Sequence, residues 1–359
     1  MRIRAERDDL VDVLGRAGRA VGVRSPMPIL QGVLIDVRGK SMRVTGTDLD
    51  VTVRTQLDVE VLDEGSTVVP ARLATEAVRK MPAGAVVIQA QGGEVEITGN
   101  GPRFRFREFT VDDFPKVSEP DLTGAVKVSG SDFTDALTQV AVAASTDDAR
   151  PILTGVYFES EEGRLRLVAT DSYRLSVRDL PSVEAHLSGL VPVRALRELG
   201  RSVGASEIQV AIGDREAAFA SERGTLTARL IEGTFPNYRQ LLPPSYPNRL
   251  KVPREGLLEA IDRASLVAED HIPIRLTLQK GGVELSVTRQ DVGGETEHVE
   301  ADYSGEEMTI AFNSRYLNDG VTAVQADEVV LDVMDPLKPG LLRGADDDDF
   351  VYLLMPVRL

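Results

Sequence analysis

The residues best equipped for chemistry are two aspartates in matching motifs, Asp48 in TGTDLD and Asp171 in VATDSYR. A pair of carboxylates is the minimum for general acid–base hydrolysis, one holding a proton while the other removes one. A hydrolase built on a duplicated domain, using Asp48 and Asp171, is therefore one reading of the chain. Both residues fall in turn-rich sequence, however, where Asp commonly bonds its own backbone. His186, His271 and His298 are dispersed without the spacing of metal ligands, and HExxH, GxSxG and GxxxxGK[ST] are absent from the sequence. GRAGRAVG around Gly15 lies inside a helical pattern instead of following a strand. Asp346 to Asp349 is a run of four acids that could attract Ca²⁺ but reads as a solvated hairpin turn. With no Cys in 359 residues, thiol nucleophiles, disulfides and zinc thiolates are excluded. The sequence thus assigns no catalytic residue, no metal and no cofactor.

The elements that carry these motifs repeat. PILQGVLIDV begins at Pro28, PILTGVYFES at Pro151, and a fainter copy, PIRLTLQKGG, at Pro273, so the offsets are 123 and 122 residues. VPAR, VPVR and FNSR place Arg72, Arg194 and Arg315 at the same period, and Phe114-Pro115 matches Phe235-Pro236. Apolar residues at helical spacing start each copy: Leu10, Leu14, Ala17, Val21; then Phe133, Leu137, Val140, Ala144; then Leu257, Ile261, Ala264, Ala268. Each unit reads as a helix, alternating strands with Gly-containing turns, a second helix and further strands. The fold class is α+β, with one sheet face buried under helices and the other expected to be wet.

Composition bounds the function. The chain has 41 Lys and Arg against 57 Asp and Glu, a net charge of −16, which argues against holding nucleic acid by an overall positive field. The six helix-like segments sum to zero charge, so the acidity lies in strands and loops. A helical surface of that kind tolerates a nearby phosphate backbone while the rest of the chain repels it. MRIRAERDDLVDV carries charge where a signal peptide needs an apolar stretch, and no downstream run is long enough to cross a bilayer, so a cytoplasmic location is expected. A DNA-independent protein scaffold remains a further alternative.

Ten motifs in order resemble one family: MPILQGVLIDV, TGTDLD, VPAR, DDFP, RPILTGVYFE, ATDSYRL, GTFPNYRQLLP, FNSRYL, DPLKPGLL and the terminal MPVRL. Along essentially its whole length the chain resembles the bacterial DNA polymerase III beta subunits, the replicative sliding clamps. The resemblance implies three clamp-type domains, taken as residues 1–122, 123–247 and 248–359, with helices lining an inner face and antiparallel sheets outside. It implies a head-to-tail dimeric ring that encircles duplex DNA, has no catalytic centre, and tethers a DNA polymerase III alpha-type subunit, a clamp loader and other proteins carrying a clamp-binding motif. Topological linkage of this kind suits an acidic chain, because sliding needs no tight grip.

By the same resemblance, Arg24, Arg150, Arg194 and Arg201 face DNA; Arg197 is counted with them, and helix charge adds Arg72, Arg79 and Lys80. A peptide-binding pocket is implied at Leu153, Thr170, Leu175, Pro236, Leu241, Leu353 and Met355, with a shallower part at Tyr173, Arg174, Asn313, Tyr316, Pro339 and Val357. Gln240, Leu354, Pro356, Arg358 and Leu359 flank it. Aliphatic walls for a Leu or Phe anchor and an adaptable Met suit several ligands in turn. Tyr173 and Gln240 stand where some relatives carry His and Arg. LLMPVRL ends the chain without polar residues beyond Arg358, so the last segment is expected to be tied down as an edge strand. For ring closure, Arg103, Arg105 and Arg107 alternate with Phe104 and Phe106, and Glu295, Glu297 and Glu300 supply opposite charge.

Overall fold

A computed structural model describes residues 1–22, 27–181, 186–202, 207–243, 245–268 and 272–358, so Arg24 and Leu359 lie outside the described residues. Two helices arise from each repeat: α1 (Arg7–Gly18), α2 (Ala71–Arg79), α3 (Gly130–Ala141), α4 (Val193–Ser202), α5 (Arg254–Ser265) and α6 (Ser314–Ala323). The apolar stripes explain their placement, since Leu10, Leu14 and Ala17 of α1, Phe133, Leu137 and Val140 of α3, and Leu257, Ile261 and Ala264 of α5 are all buried. Asp8 and Asp9 open α1 and Arg16 closes it, each favourable to the helix dipole. Among the described residues no helix is long and apolar enough to cross a membrane, and no cluster of acidic or His side chains could hold a metal ion.

The chain packs as two compact units, Met1–Ser131 with Arg194–Leu230, and Asp132–Val193 with Ile231–Leu359. In the first, an eight-stranded sheet runs in the order Val126–Ser129, Glu207–Ile212, Glu216–Ser221, Gly224–Arg229, Val51–Asp58, Ser41–Thr47, Gly32–Arg38, Gly65–Pro70. Strands of the first and second repeats meet inside it, Leu226 opposite Val53 and Ala228 opposite Val51. A five-stranded sheet of the same unit runs Glu60–Asp63, Arg2–Glu6, Ala85–Gln91, Glu94–Thr98, Arg103–Arg107. Its core packs Ile3, Ile88 and Ile97 against Leu10, Leu14 and Val78.

The second unit holds a nine-stranded sheet: Ser188–Pro192, Gly155–Glu161, Arg164–Thr170, Arg174–Leu180, Asp347–Leu354, Gly340–Gly344, Glu328–Val333, Asn248–Pro253, Asp302–Ser304. Here the second and third repeats meet, Leu175 opposite Leu353 and Ser176 opposite Tyr352. A four-stranded sheet runs Gly293–Glu300, Gly282–Arg289, Ile274–Gln279, Met308–Phe312.

Three expectations need correction. The central strands do not keep a wet face: Thr45, Thr52 and Arg54 are buried as well as their neighbours. The chain between the first two repeats crosses over them, and Arg54 donates to the carbonyl oxygens of Val117, at 3.1 Å, and Ser118. Asp347–Leu354 is an interior strand and not an edge, because sheet continuity between repeats gives it a neighbour on both sides. The acidic run does form a hairpin turn with Asp346 and Asp348 exposed, but Asp347 and Asp349 are paired. Arg178 donates to both Asp347 oxygens at 2.9 and 2.7 Å, and Arg164 to Asp349 at 2.7 Å.

Candidate docking site

The turn Thr170–Arg174 sets the site. Thr170 Oγ1 donates to the Arg174 carbonyl at 2.7 Å and accepts from Ser172 N–H at 3.2 Å, while Asp171 Oδ1 accepts from Tyr173 and Arg174 N–H at 2.9 and 3.0 Å. These bonds hold Ser172 at a φ of 82°, a left-handed conformation that a non-glycine residue adopts only when its surroundings enforce it. The consequence is a reversal of facing: Tyr173 is 57% exposed and the next residue, Arg174, only 6%.

The same turn occurs at Thr47–Val51 in the other unit. Asp48 Oδ1 accepts from Asp50 and Val51 N–H at 3.0 and 2.8 Å, and Leu49 sits at a φ of 80°. This accounts for the two matching aspartates as backbone acceptors. Their remaining oxygens are also committed, Asp48 Oδ2 to Arg194 at 2.6 Å and Asp171 Oδ2 to Arg174 at 3.0 Å.

Arg174 then organises its surroundings. Its guanidinium donates to Asp171, to Asp319 of α6 at 2.5 Å and to the Tyr352 hydroxyl at 3.3 Å, and its Cζ lies 4.3 Å from the Tyr316 ring centre. Burial is the strongest influence on Arg174 and favours proton loss, but Tyr352, Asp319 and Asp171 together outweigh it and raise its pKa. Tyr316 is stacked in turn on Tyr173, ring centres 6.3 Å apart, and receives a hydrogen bond on its carbonyl from Tyr352 at 3.0 Å. Asn313 caps α6 by accepting from Tyr316 N–H at 3.0 Å, which fixes where Tyr316 leaves the helix.

A second wall comes from the segment joining the last two repeats. It lies over an apolar cluster of Val168, Leu175, Tyr238, Leu341 and Leu353. Phe235 stacks on Tyr157 at 5.1 Å, Tyr238 donates to the Glu159 carboxylate, and Arg239 reaches Glu159 and Glu161 at 2.8 and 2.9 Å. Burial, first, and the Glu159 bond push the Tyr238 pKa up, so this hydroxyl stays a donor. These anchors present Pro236, Gln240 and Leu241 at the surface. The chain end completes the wall: Met355 N–H donates to the Tyr173 carbonyl at 2.9 Å and Val357 N–H to that of Ala311 at 2.8 Å.

Of the expected site residues, Tyr173, Leu241, Met355 and Val357 are exposed apolar or aromatic side chains, and Leu175 and Leu353 form the floor beneath them. Thr170 and Leu153 are buried, Pro339 and Pro356 half-buried, and Arg358 exposed. Leu354 is fully buried and belongs to the core, because strand alternation turns it away from the face that carries Leu353. Sequence reasoning missed Asp319, Tyr352 and Tyr238. Asp319 lies three residues after Tyr316 on one helix, a spacing that puts both on the same side.

Several of the cations expected to face DNA hold carboxylates. Arg79 pairs with Glu76, Arg150 with Asp147 at 3.0 Å, Arg194 with Asp48 and with Asp50 at 3.2 Å, and Arg201 with Glu198 at 2.8 Å. Arg72, Lys80 and Arg197 are exposed. Arg103–Arg107 is an edge strand with Phe104 and Phe106 half-buried and stacked at 6.4 Å, and the outward Arg103 and Arg105 pair with Glu96. Gly293–Glu300 is an edge strand too, where Arg263 of α5 grips Glu297 at 2.8 and 2.7 Å.

Comparison with known proteins adds three family matches: residues 1–118, 127–237 and 239–358 fit the N-terminal, central and C-terminal domains described for the DNA polymerase III beta subunit. A beta sliding clamp of Streptomyces coelicolor is 31% identical over the full length of both chains, and one from Staphylococcus epidermidis 30% identical over all of this chain and 99% of its own. The sliding clamp of Bartonella birtlesii bound to griselimycin has a TM-score of 0.95 at 30% identity over both whole chains. That of Bacillus subtilis has 0.95 at 26%, covering 100% of this chain and 99% of its own.

Proposed function

We propose, from the premise that this chain belongs to the DNA polymerase III beta subunit family and is a non-catalytic DNA sliding clamp, that two copies close head to tail into a ring around duplex DNA. The observation that carries the closure is a pair of sheet edges of opposite charge, unpaired among the described residues, Arg103–Arg107 and Gly293–Glu300. An edge strand exposes a row of N–H and C=O groups, and pairing the basic edge of one copy with the acidic edge of another satisfies both rows twice over under a twofold axis. Domains at 1–122, 123–247 and 248–359 then give each half-ring three modules with helices toward the DNA.

In this reading Arg72 and Lys80 are the cations readiest to meet phosphate, while Arg79, Arg150, Arg194 and Arg201 must first exchange a carboxylate for it. The site at Tyr173, Tyr316, Leu241, Met355 and Val357 takes a short linear peptide from the replicative polymerase alpha-type subunit, the clamp loader and other DNA-processing proteins. Support comes from its make-up, exposed apolar side chains around a committed polar network, which is the composition of a peptide-anchoring surface. Griselimycin is a ready competitor for such a site. The protein works in the cytoplasm.

Sedimentation with circular and linearised plasmid tests the ring. Protein loaded by a clamp loader is expected to remain on circles and to run off free ends. Equal retention on linear DNA overturns encirclement.

A further inference from the structure

We infer that Asp319 is a positioning residue of the docking site: it holds the Arg174 guanidinium against the Tyr316 ring and so sets the aromatic wall made by Tyr316 and Tyr173. The inference rests on the peptide-docking reading of this site and adds to it a residue that lies behind the surface.

The geometry is a relay. Arg174 belongs to the strand Arg174–Leu180 of the central repeat, whereas Asp319, Tyr316 and Tyr352 come from the last repeat. A long, flexible arginine would stay over an aromatic ring only if its donors were fixed elsewhere, since each free rotamer costs entropy on ordering. Asp319 Oδ2 fixes NH1 at 2.5 Å and Asp171 Oδ2 fixes Nε at 3.0 Å, two anchors on different edges of one planar group. Those anchors determine the plane, and its central Cζ lies over the Tyr316 ring, 4.3 Å from the ring centre. Asp171 is already spent on its own turn, where its other oxygen takes two backbone amides, so it cannot move without unfolding that turn. Asp319 sits mid-helix with its side chain 28% exposed and carries no such duty. It is the adjustable anchor.

Two carboxylates face one guanidinium here, so removing Asp319 leaves Arg174 paired with Asp171 and with no excess buried charge. The fold therefore survives the change, while the ring loses the cation that holds it, and the stacked Tyr173 loses its support.

The test is fluorescence anisotropy with a labelled peptide from the polymerase alpha-type subunit, alongside thermal unfolding, on the full-length dimer. Asp319→Ala is expected to bind roughly fivefold more weakly, the size of a lost cation–π placement. Asp319→Glu, which keeps the charge, is expected to recover most of the affinity. In a Tyr316→Ala background, Asp319→Ala is expected to have no further effect, because the two act through one ring. Unchanged affinity in Asp319→Ala, or full additivity with Tyr316→Ala, overturns the positioning role while Met355→Ala still weakens binding. If Met355→Ala also binds normally, the docking reading itself has failed. Asp319→Asn, which preserves size, replaces Asp319→Ala if the latter loses its cooperative transition, and normal binding by that variant is equally fatal.

Discussion

Truncating Met355 separates docking from folding. Met355 is 39% exposed, and the backbone bond from its N–H to the Tyr173 carbonyl does not depend on side-chain identity. Fully burying a Met side chain is worth about 1.5 to 3 kcal/mol, so covering the two-fifths still open contributes about 0.6 to 1.2 kcal/mol to a docked ligand. Met355→Ala forfeits most of that, which corresponds to an affinity loss of about threefold to sevenfold. Thermal stability should hardly move, since the surrounding β-pairing is untouched. Leu175→Ala is the contrasting change. Leu175 is in the cluster with Leu353 and Tyr238 and is almost fully enclosed, so a cavity there costs about 2 to 5 kcal/mol of stability. The assay is peptide anisotropy beside differential scanning calorimetry for both variants. An unchanged dissociation constant in Met355→Ala, with its unfolding temperature intact, refutes the placement of the peptide at this wall.

Other consequences follow from the edges and the charges. Phe106→Asp puts a carboxylate on the half-buried face of an edge strand beside Phe104, and sedimentation equilibrium should report one chain in place of two; a persistent dimer removes that strand from the seam. Arg72→Ala and Lys80→Ala should each flatten the slope of log affinity for DNA against log salt by about 0.9, measured with short duplexes, whereas slopes equal to wild type place those residues away from phosphate. Hydrogen bonding from Arg263 lowers the Glu297 pKa, so the pair contributes stability above the ordinary glutamate pKa of about 4.3 that disappears as pH falls through the folded-state value. Arg263→Ala should therefore narrow the gap in melting temperature from wild type as pH is lowered from 6 to 3, and a gap that widens on acidification refutes the linkage.

The repeats were legible because their signals are local. Leu10, Phe133 and Leu257 open matching helices whose burial follows from spacing alone, and Arg72, Arg194 and Arg315 mark the second helix of each copy. What spacing does not carry is partnership between distant segments. The interior position of Asp347–Leu354 depends on a strand some 170 residues earlier, and the dry face around Arg54 depends on Val117 and Ser118 crossing over it. Tyr173, Tyr316 and Met355, expected from family resemblance to share a site, lie together in the fold. The residues behind them, Asp319 and Tyr352, were not legible, because an acid or a phenol on an amphipathic element has many possible partners until the chain is folded.

The duplicated turn carries different side chains on one backbone scaffold. At Thr47–Val51 and at Thr170–Arg174 the hydroxyl and carboxylate bonds coincide, φ is 80° and 82°, and the strand of the following repeat pairs in the same register, Ala228 opposite Val51 and Leu354 opposite Arg174. Even the next hydrogen bond is repeated, Arg229 N–H to the Asp50 carbonyl at 2.8 Å and Met355 N–H to the Tyr173 carbonyl at 2.9 Å. Only the side chains differ. Where one seam presents Tyr173 and Met355, the other presents Asp50 and Arg229, and Arg194 closes over Asp48 and Asp50. Charged groups at the surface keep their water and give an apolar peptide nothing to bury, whereas an aromatic ring and a thioether lose water favourably on contact. The backbone makes a ledge at both seams, and on the proposed docking reading the residues at two positions on it decide which of them anchors a partner.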